Sequence, residues 1–425
     1  MGHPLVVSSL FHIFTEVIKA VVMDTQVKDK LFTRSYILVC VANFLTSFSF
    51  FLLVPTLPFY LADVYNVGSD VVGLVLSCYV VAVLCIRPFA GFVADMFPRK
   101  RVYMVSYLFF ALLFSGYLLI NGDIWQFILL RVLHGFAFGA LNTTGNTLVI
   151  DVMPSSRRGE GLGYFGVTNN LGMAFGPMVG LFVISHSGYN TLFLLALCAS
   201  LVGVLTALPI FVKKRQPVAH EGAFFALDRF LLVEGVPASL AFFMLAIPYG
   251  MTSSYIAIYA TEIGVVKGAG LFFTVQAAGL IVSRLISGKQ VDRGLITQTI
   301  SRGMNIALAG VVLEALLALA AGWSATLGHA LYFISAFLVG YGFGTIFPAF
   351  NTLFINMAPN SRRATANATY LTGWDVGIGA GMLLGGALST SGYSGSFAFG
   401  AILVVAASVY FRLFVAKHFE RHRLR

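Results

Sequence analysis

The sequence predicts an all-α polytopic membrane protein of twelve transmembrane helices arranged as two pseudo-symmetric six-helix bundles, and three observations lead there. The 425 residues are 58% hydrophobic and only 10% charged, with a mean hydropathy of +0.87, whereas a soluble domain carries about 25% charged residues. The apolar residues form long continuous runs rather than the roughly ten-residue alternating segments of a membrane β-barrel. The pattern of the first half recurs in the second. At about 20 residues per span, this length holds about twelve helices and no large soluble domain.

In chain order, the apolar runs predict spans near 36–61, 70–94, 102–121, 124–150, 160–185, 190–212, 235–261, 267–288, 303–322, 327–356, 364–389 and 392–416. Lys and Arg orient them. With the intervening loops assigned alternately to two sides, 23 of the 27 basic residues fall on one side and only Lys267 on the other, while Arg87, Arg131 and Arg284 lie within spans. Positive charge is retained on the cytoplasmic side, so both termini are expected there, in a bacterial inner or other plasma membrane. Trp125 and Trp323 then fall at the outer ends of the fourth and ninth spans, where aromatic belts are expected.

The longest polar interruption, containing Lys213-Lys214-Arg215, Pro217 and Asp228-Arg229, separates six spans from six. The organisation this predicts is a cytoplasmic N-terminal segment over 1–35, a bundle over 36–212, a linker over 213–234, a bundle over 235–416 and a basic cytoplasmic tail over 417–425. Met1 to Val22 is moderately apolar but carries His12, Glu16 and Lys19 and lacks a signal-peptide pattern. It is read as an interfacial helix, with translation from Met23 as the alternative. The net charge of +10 sits in short clusters between apolar runs, which reads as topology rather than nucleic-acid binding. Cys40, Cys78, Cys85 and Cys198 lie in apolar segments without metal-ligand spacing, as small buried hydrophobes do; no metal or cofactor is expected.

The internal repeat is specific. Arg87, Gly91 and Asp95 recur as Arg284, Gly288 and Asp292, a constant offset of 197. Asn146-Thr147-Leu148, Pro154 and Arg157-Arg158 recur as Asn351-Thr352-Leu353, Pro359 and Arg362-Arg363, at an offset of 205. The same offset carries Gly135, Gly139, Gly172, Gly176 and Gly180 onto Gly340, Gly344, Gly377, Gly381 and Gly385. Equal span numbers in the same orientation make these parallel repeats about an axis along the membrane normal, an arrangement that places a substrate between the repeats.

With these residues in view, the chain from about Tyr36 to Ala416 resembles the major facilitator superfamily, in particular its twelve-helix proton-driven exporters of drugs or metabolites. Gly91-Phe-Val-Ala-Asp95-Met-Phe-Pro-Arg99-Lys100-Arg101 is similar to the family's loop signature. The resemblance implies a gating latch of Gly91, Asp95 and Arg99, with Asp151 as partner, and of Gly288 and Asp292 in the second half. Pro98 and Met96 depart from the family pattern, which has a second glycine and a basic residue there. Arg131 with Gly135 resembles the family's Arg/Gly motif and implies proton coupling; Arg131, Gly135, Phe138, Asn142 and Asn146 fall near helical period on one face. His134 beside it titrates in the physiological range when unperturbed, although a lone helical His is more often structural. Gly172-Met-Ala-Phe-Gly176-Pro177-Met-Val-Gly180 resembles the antiporter motif of the superfamily and implies export; its small residues are expected to pack the fifth span against a neighbour in the other half.

Only Glu314 and Asp375 are acids deep in their spans, and a buried carboxyl is the natural proton carrier of a membrane protein. Asp375 is preferred, because in the fold that the resemblance implies the eleventh span lines the cavity; it aligns with Asn170 in the repeat and is expected to face it across the pseudo-axis. The competing role is a structural ion pair with Arg284 or another base. The first span offers Asn43, Thr46 and Ser47 where many exporters of the family carry an acid. Asn43, Asn142, Asn170, Tyr249, Gln276, Tyr370 and Trp374 complete the expected cavity, mostly apolar with a few directing polar groups.

The function expected is proton-coupled antiport of a small molecule by alternating access, the chain acting as a monomer in the bilayer. The alternatives are an uptake symporter for a sugar, organic anion or peptide and, from another class, a membrane sensor or enzyme. No nucleophile-base constellation, phosphate-cradling loop or metal-ligand cluster in the sequence supports an enzyme.

Overall fold

The computed structural model describes residues 29–120, 123–154, 157–212, 232–265, 269–359 and 362–424. The regular structure within them is helical. In the first half, α1 (Arg34–Leu53) and α2 (Leu57–Tyr65) together make the first span, followed by α3 (Ser69–Met96), α4 (Arg99–Leu119), α5 (Ile124–Val152) and α6 (Arg158–Ala207). In the second, α7 (Val236–Glu262), α8 (Leu271–Asp292), α9 (Ile296–Trp323), α10 (Ala325–Met357), α11 (Arg363–Ala387) and α12 (Tyr393–Tyr410) follow, and a π turn leads into α13 (Ala416–His422). The N-terminal segment up to residue 28 and the stretch 213–231 of the expected linker lie outside the described residues.

Local chemistry sets the helix ends. The Thr33 hydroxyl caps α1 by accepting from the Tyr36 amide at 3.2 Å, and the Asp123 carboxylate caps α5 by accepting from the Trp125 amide at 3.0 Å. Pro55 has no N–H with which to continue α1; the chain turns once and restarts as α2, with Pro58 in the first turn, where a missing N–H costs nothing. The ninth span begins at Ile296 rather than 303, because its first two turns are helical but polar.

Eleven helical stretches among the described residues are long and apolar enough to cross a membrane, and one of these, Gly161–Ala207, has 47 residues. At about 1.5 Å per residue it is ~70 Å long, over twice the ~30 Å hydrocarbon core. It is broken at Gly188, where φ 80° and ψ 180° define a conformation essentially confined to glycine. The chain reverses there: Gly172 before the break lies against Ser47 of α1, and Gly203 after it lies against Leu45 of the same helix. The fifth and sixth spans are thus the two arms of α6, and the crossings among the described residues number twelve.

The repeat seen in the sequence is also a repeat of packing. Gly135 and Gly139 of α5 let that helix approach the backbone of α3 at Tyr79 and Val83, and Gly340 and Gly344 of α10 approach α8 at Gln276 and Leu280. These contacts carry the same offsets of 205 and 197 that relate the motifs. Two bundles of six helices result, meeting along α3 with α11 and α6 with α8.

On the face opposite the termini, this seam is closed. The Gly73 backbone is held against the Met382 and Leu383 carbonyls and Gly386 against Ser69, and deeper in, Gly379 meets Val80. On the other side of the seam, Gly270 lies against Met178 and Leu181, and the Thr274 hydroxyl donates to the Met178 sulfur at 2.9 Å. Toward the face bearing the termini, Gly91 of α3 and Gly288 of α8 have nothing within 4 Å of where a Cβ would stand.

A candidate transport site at the seam between the bundles

The closed part of the seam ends in charge. Arg87, about two-thirds of the way along α3, forms an ion pair with Asp375 of α11, both side chains about four-fifths buried. Asp375 is therefore paired with Arg87 rather than with Arg284, and the Asn170 amide donates within its own helix, to the Gly166 carbonyl at 2.7 Å. In the sequence Arg87 stands out as a marker of the repeat and as one of three basic residues within spans. Being an ionisable group within a span is the signal that singles it out.

Arg131 lies inside the first bundle. Only 3% exposed, it places its guanidinium 4.3 Å from the centre of the Tyr79 ring, a cation–π contact, and donates to the Tyr117 hydroxyl at 3.4 Å. The same hydroxyl is hydrogen-bonded to His134 Nδ1 at 3.1 Å, and His134 is packed among Phe110, Phe114 and Tyr117. The cluster reaches the seam through Tyr79, which is in electrostatic contact with Arg131, Arg87 and Asp375.

Glu314 of α9 has no exposed surface. The Thr252 hydroxyl of α7 donates to its Oε2 at 2.8 Å, and its Oε1 has no hydrogen-bond partner. It sits within the second bundle, away from the Arg87–Asp375 pair and near the ring hydroxyls of Tyr259 and Tyr332.

At the face bearing the termini, Arg99 at the start of α4 grips Asp151 at the end of α5 with both carboxylate oxygens, at 2.9 and 3.0 Å. Both contacts come from one guanidinium nitrogen, Nη1, a bifurcated, charge-assisted pair. The side chains of Asp95 and Asp292 lie outside the described residues.

The glycine motif of α6 corrects an expectation. Gly172, Gly176 and Gly180 do not face the other bundle; they receive α1 of their own bundle at Ser47, Phe51 and Leu52. Small residues every four positions define one helix face without saying which neighbour fills it, and here α1 does. The opposite bundle is met by the motif's two methionines: the Tyr249 hydroxyl of α7 donates to the Met173 sulfur at 3.0 Å, and Met178 meets Gly270 and Thr274. Pro177 stands within the helix between them.

The expected cavity residues divide by the same logic. Asn43 ties α1 to α6, donating to the Thr168 hydroxyl at 2.9 Å, and Asn142 accepts from Asn146 one turn on, at 3.1 Å. Gln276 is 7% exposed, packed where α8 meets α10. Tyr249, Tyr370 and Trp374 are brought together: Trp374 lies 4.9 Å from the Tyr249 ring and 4.2 Å from Phe347, and the Tyr370 hydroxyl donates to the Phe347 carbonyl at 3.3 Å. This aromatic wall belongs to the second bundle and touches the first through Met173.

Two pseudo-symmetric bundles with charge and aromatic surface at their seam define a membrane transporter. Residues 39–312 and 240–425 match the model of the Major Facilitator Superfamily, and the chain belongs to that family. The multi-drug resistance efflux pump PmrA of Streptococcus pneumoniae is 26% identical over 383 residues, covering 87% of this chain and 93% of its own. The multidrug resistance protein MdtG of Escherichia fergusonii is 24% identical over 395 residues, covering 88% and 91%. Among solved structures, the nucleoside transporter NupG superposes with a TM-score of 0.72 at 15% identity, over 89% of this chain and 100% of that one, a likeness of fold.

Proposed function

We propose that the chain is a proton-coupled antiporter that exports a small molecule by alternating access, working as a monomer in a bacterial inner membrane with both termini in the cytoplasm. The observation that carries this is the Arg87–Asp375 pair, which sets an acid at the seam against a base of the other bundle. A proton on Asp375 discharges it and removes its attraction for Arg87, so protonation loosens α3 from α11. Loss of the proton restores the pair and closes the seam again. With the termini taken as cytoplasmic, the packed part of the seam is read as the outward side and the conformation as open inward. The names of the relatives PmrA and MdtG, which are multidrug efflux proteins, support export. Arg99–Asp151 and the two open glycines, Gly91 and Gly288, are read as the inner latch in its released state. Arg131 and Glu314 are read as further proton-linked groups, one in each bundle.

The test is proton flux in proteoliposomes carrying a pH-sensitive dye in the lumen, with ethidium and other efflux-pump substrates supplied as gradients. Antiport gives proton movement opposite to substrate, absent in Asp375→Asn. Movement in the same direction makes the chain a symporter, and unaltered coupling in Asp375→Asn removes that residue from the mechanism.

A further inference from the structure

The two halves balance their charges differently. Arg87 and Arg284 are equivalent in the repeat, and so are Asp375 and Asn170. Arg87 meets its acid across the seam. At the equivalent place on the other side of the axis, α8 packs against α6, whose residue at the position of Asp375 is Asn170, and among the described residues Arg284 has no acid partner. Its Nε is buried with no hydrogen-bond partner. Its electrostatic neighbours are the Tyr249 and Tyr370 hydroxyls, both at the edge of the Trp374 wall, and Tyr370 also senses Asp375. Among the described residues, the charged groups at or beside the seam are thus Arg87, Arg284 and, within the first bundle, Arg131, against the one carboxylate of Asp375. Arg131 has the face of Tyr79 as compensation; no aromatic ring covers Arg284 among the described residues.

A guanidinium in a span is costly unless something neutralises it, and a carboxylate is the group its planar fork matches. We propose that Arg284 receives an anionic group of the cargo, so that the transported class is small aromatic acids, the ring lying against Trp374 and Tyr249 and the acid group on Arg284. This rests on the reading of the chain as a small-molecule transporter, though not on its direction or its proton coupling. The cargo then supplies on one side of the axis the charge that Asp375 supplies on the other.

The site contains its own reporter. Of the three tryptophans, Trp125 and Trp323 are 74% and 89% exposed; replacing both with Phe leaves Trp374 as the sole tryptophan of the full-length purified protein, excited selectively at the red edge of its absorption, where tyrosine does not absorb. Quenching is titrated with 4-nitrobenzoate, its neutral amide 4-nitrobenzamide and the cation 4-nitrobenzylammonium. The acid is expected to bind saturably, about tenfold or more tighter than the amide, as a charge-assisted pair does over a neutral one. Arg284→Gln is expected to erase that preference and leave amide affinity within about twofold, while Arg284→Lys, which keeps the charge but not the fork, retains part of it. Asn170→Asp, which supplies the missing acid and leaves Arg284 in place, is expected to erase the preference as well. Absence of saturable binding by the acid, equal affinity for acid and amide, or tighter binding of the cation overturns the proposal. So does a preference that survives Arg284→Gln; if that variant loses the amide too, a preference surviving Asn170→Asp decides against it. Because only binding is read, failure here is distinct from failure of proton coupling in the flux assay.

Discussion

Arg87 of the first bundle and Asp375 of the second are ion-paired at the level where the packed seam between the bundles ends. Each side chain keeps about a fifth of its surface exposed, so the pair is neither fully solvated nor fully sequestered. Breaking a buried pair by removing one member costs about 3–5 kcal/mol; residual exposure screens part of that, and about 2 kcal/mol is expected here. Arg87→Gln and Asp375→Asn should each lower the melting temperature of the purified protein, and the double variant should be more stable than the sum of the two losses predicts. Additive losses would mean that the two groups do not stabilise one another.

Glu314 and Thr252 make a second, separable prediction. A buried carboxyl with one donor is a poor site for a charge, so Glu314→Gln should leave thermal stability unchanged or raise it. Thr252→Val removes the donor and should cost on the order of 1–3 kcal/mol, with a similar cost when Glu314 is already Gln, whose side-chain oxygen accepts the same hydrogen bond. Unaltered proton flux in Glu314→Gln would make the residue structural rather than proton-linked.

The glycines of α3 and α6 are expected to respond oppositely to substitution. A Cβ at Gly172 would stand 2.5 Å from the Ser47 Cβ and at Gly176 2.7 Å from the Phe51 Cβ, so Gly172→Val or Gly176→Val should prevent accumulation of folded protein. Gly91 and Gly288 have open space. There, alanine should be neutral or stabilising by up to about 1 kcal/mol through helix propensity, yet should lower transport if these glycines meet a neighbour in the opposite conformation. Unchanged transport in Gly91→Leu would discard the latch.

Met178 and Thr274 join the bundles on the side away from the termini. In a background lacking the four native cysteines, Met178→Cys with Thr274→Cys should be bridged readily by a short bifunctional thiol reagent. Bridging should abolish transport, and reduction should restore it. Full activity of the bridged protein would show that this part of the seam need not open.

Much of this architecture is legible in the sequence because the bilayer imposes it: twelve apolar runs, their polarity and the repeated glycines follow from length, hydropathy and close helix approach. Partnership across the seam is less so. Arg87 and Arg284 look alike in one dimension, and only the placing of α11 beside α3 tells which of them Asp375 meets. The glycine stripe of α6 announces a tight interface without naming its partner, and the expectation that it faced the other bundle gave way to α1. Arg131 reads as a proton-coupling residue on a helix face shared with Asn142 and Asn146, but Tyr79 and Tyr117 come from other helices to enclose it, and no spacing within α5 reports that.

The materials of the two kinds of interface differ. Inside each bundle, helices touch backbone to backbone through glycine, as at Gly135 on Tyr79 and Gly340 on Gln276, with no long side chain between them to yield. Between the bundles, much of the contact on the α6 side runs through Met173 and Met178, unbranched thioethers that change rotamer at little cost. A load applied across the molecule therefore finds two stiff bodies joined firmly through glycine between α3 and α11 and compliantly on the α6 side, where strain collects instead of bending the helices.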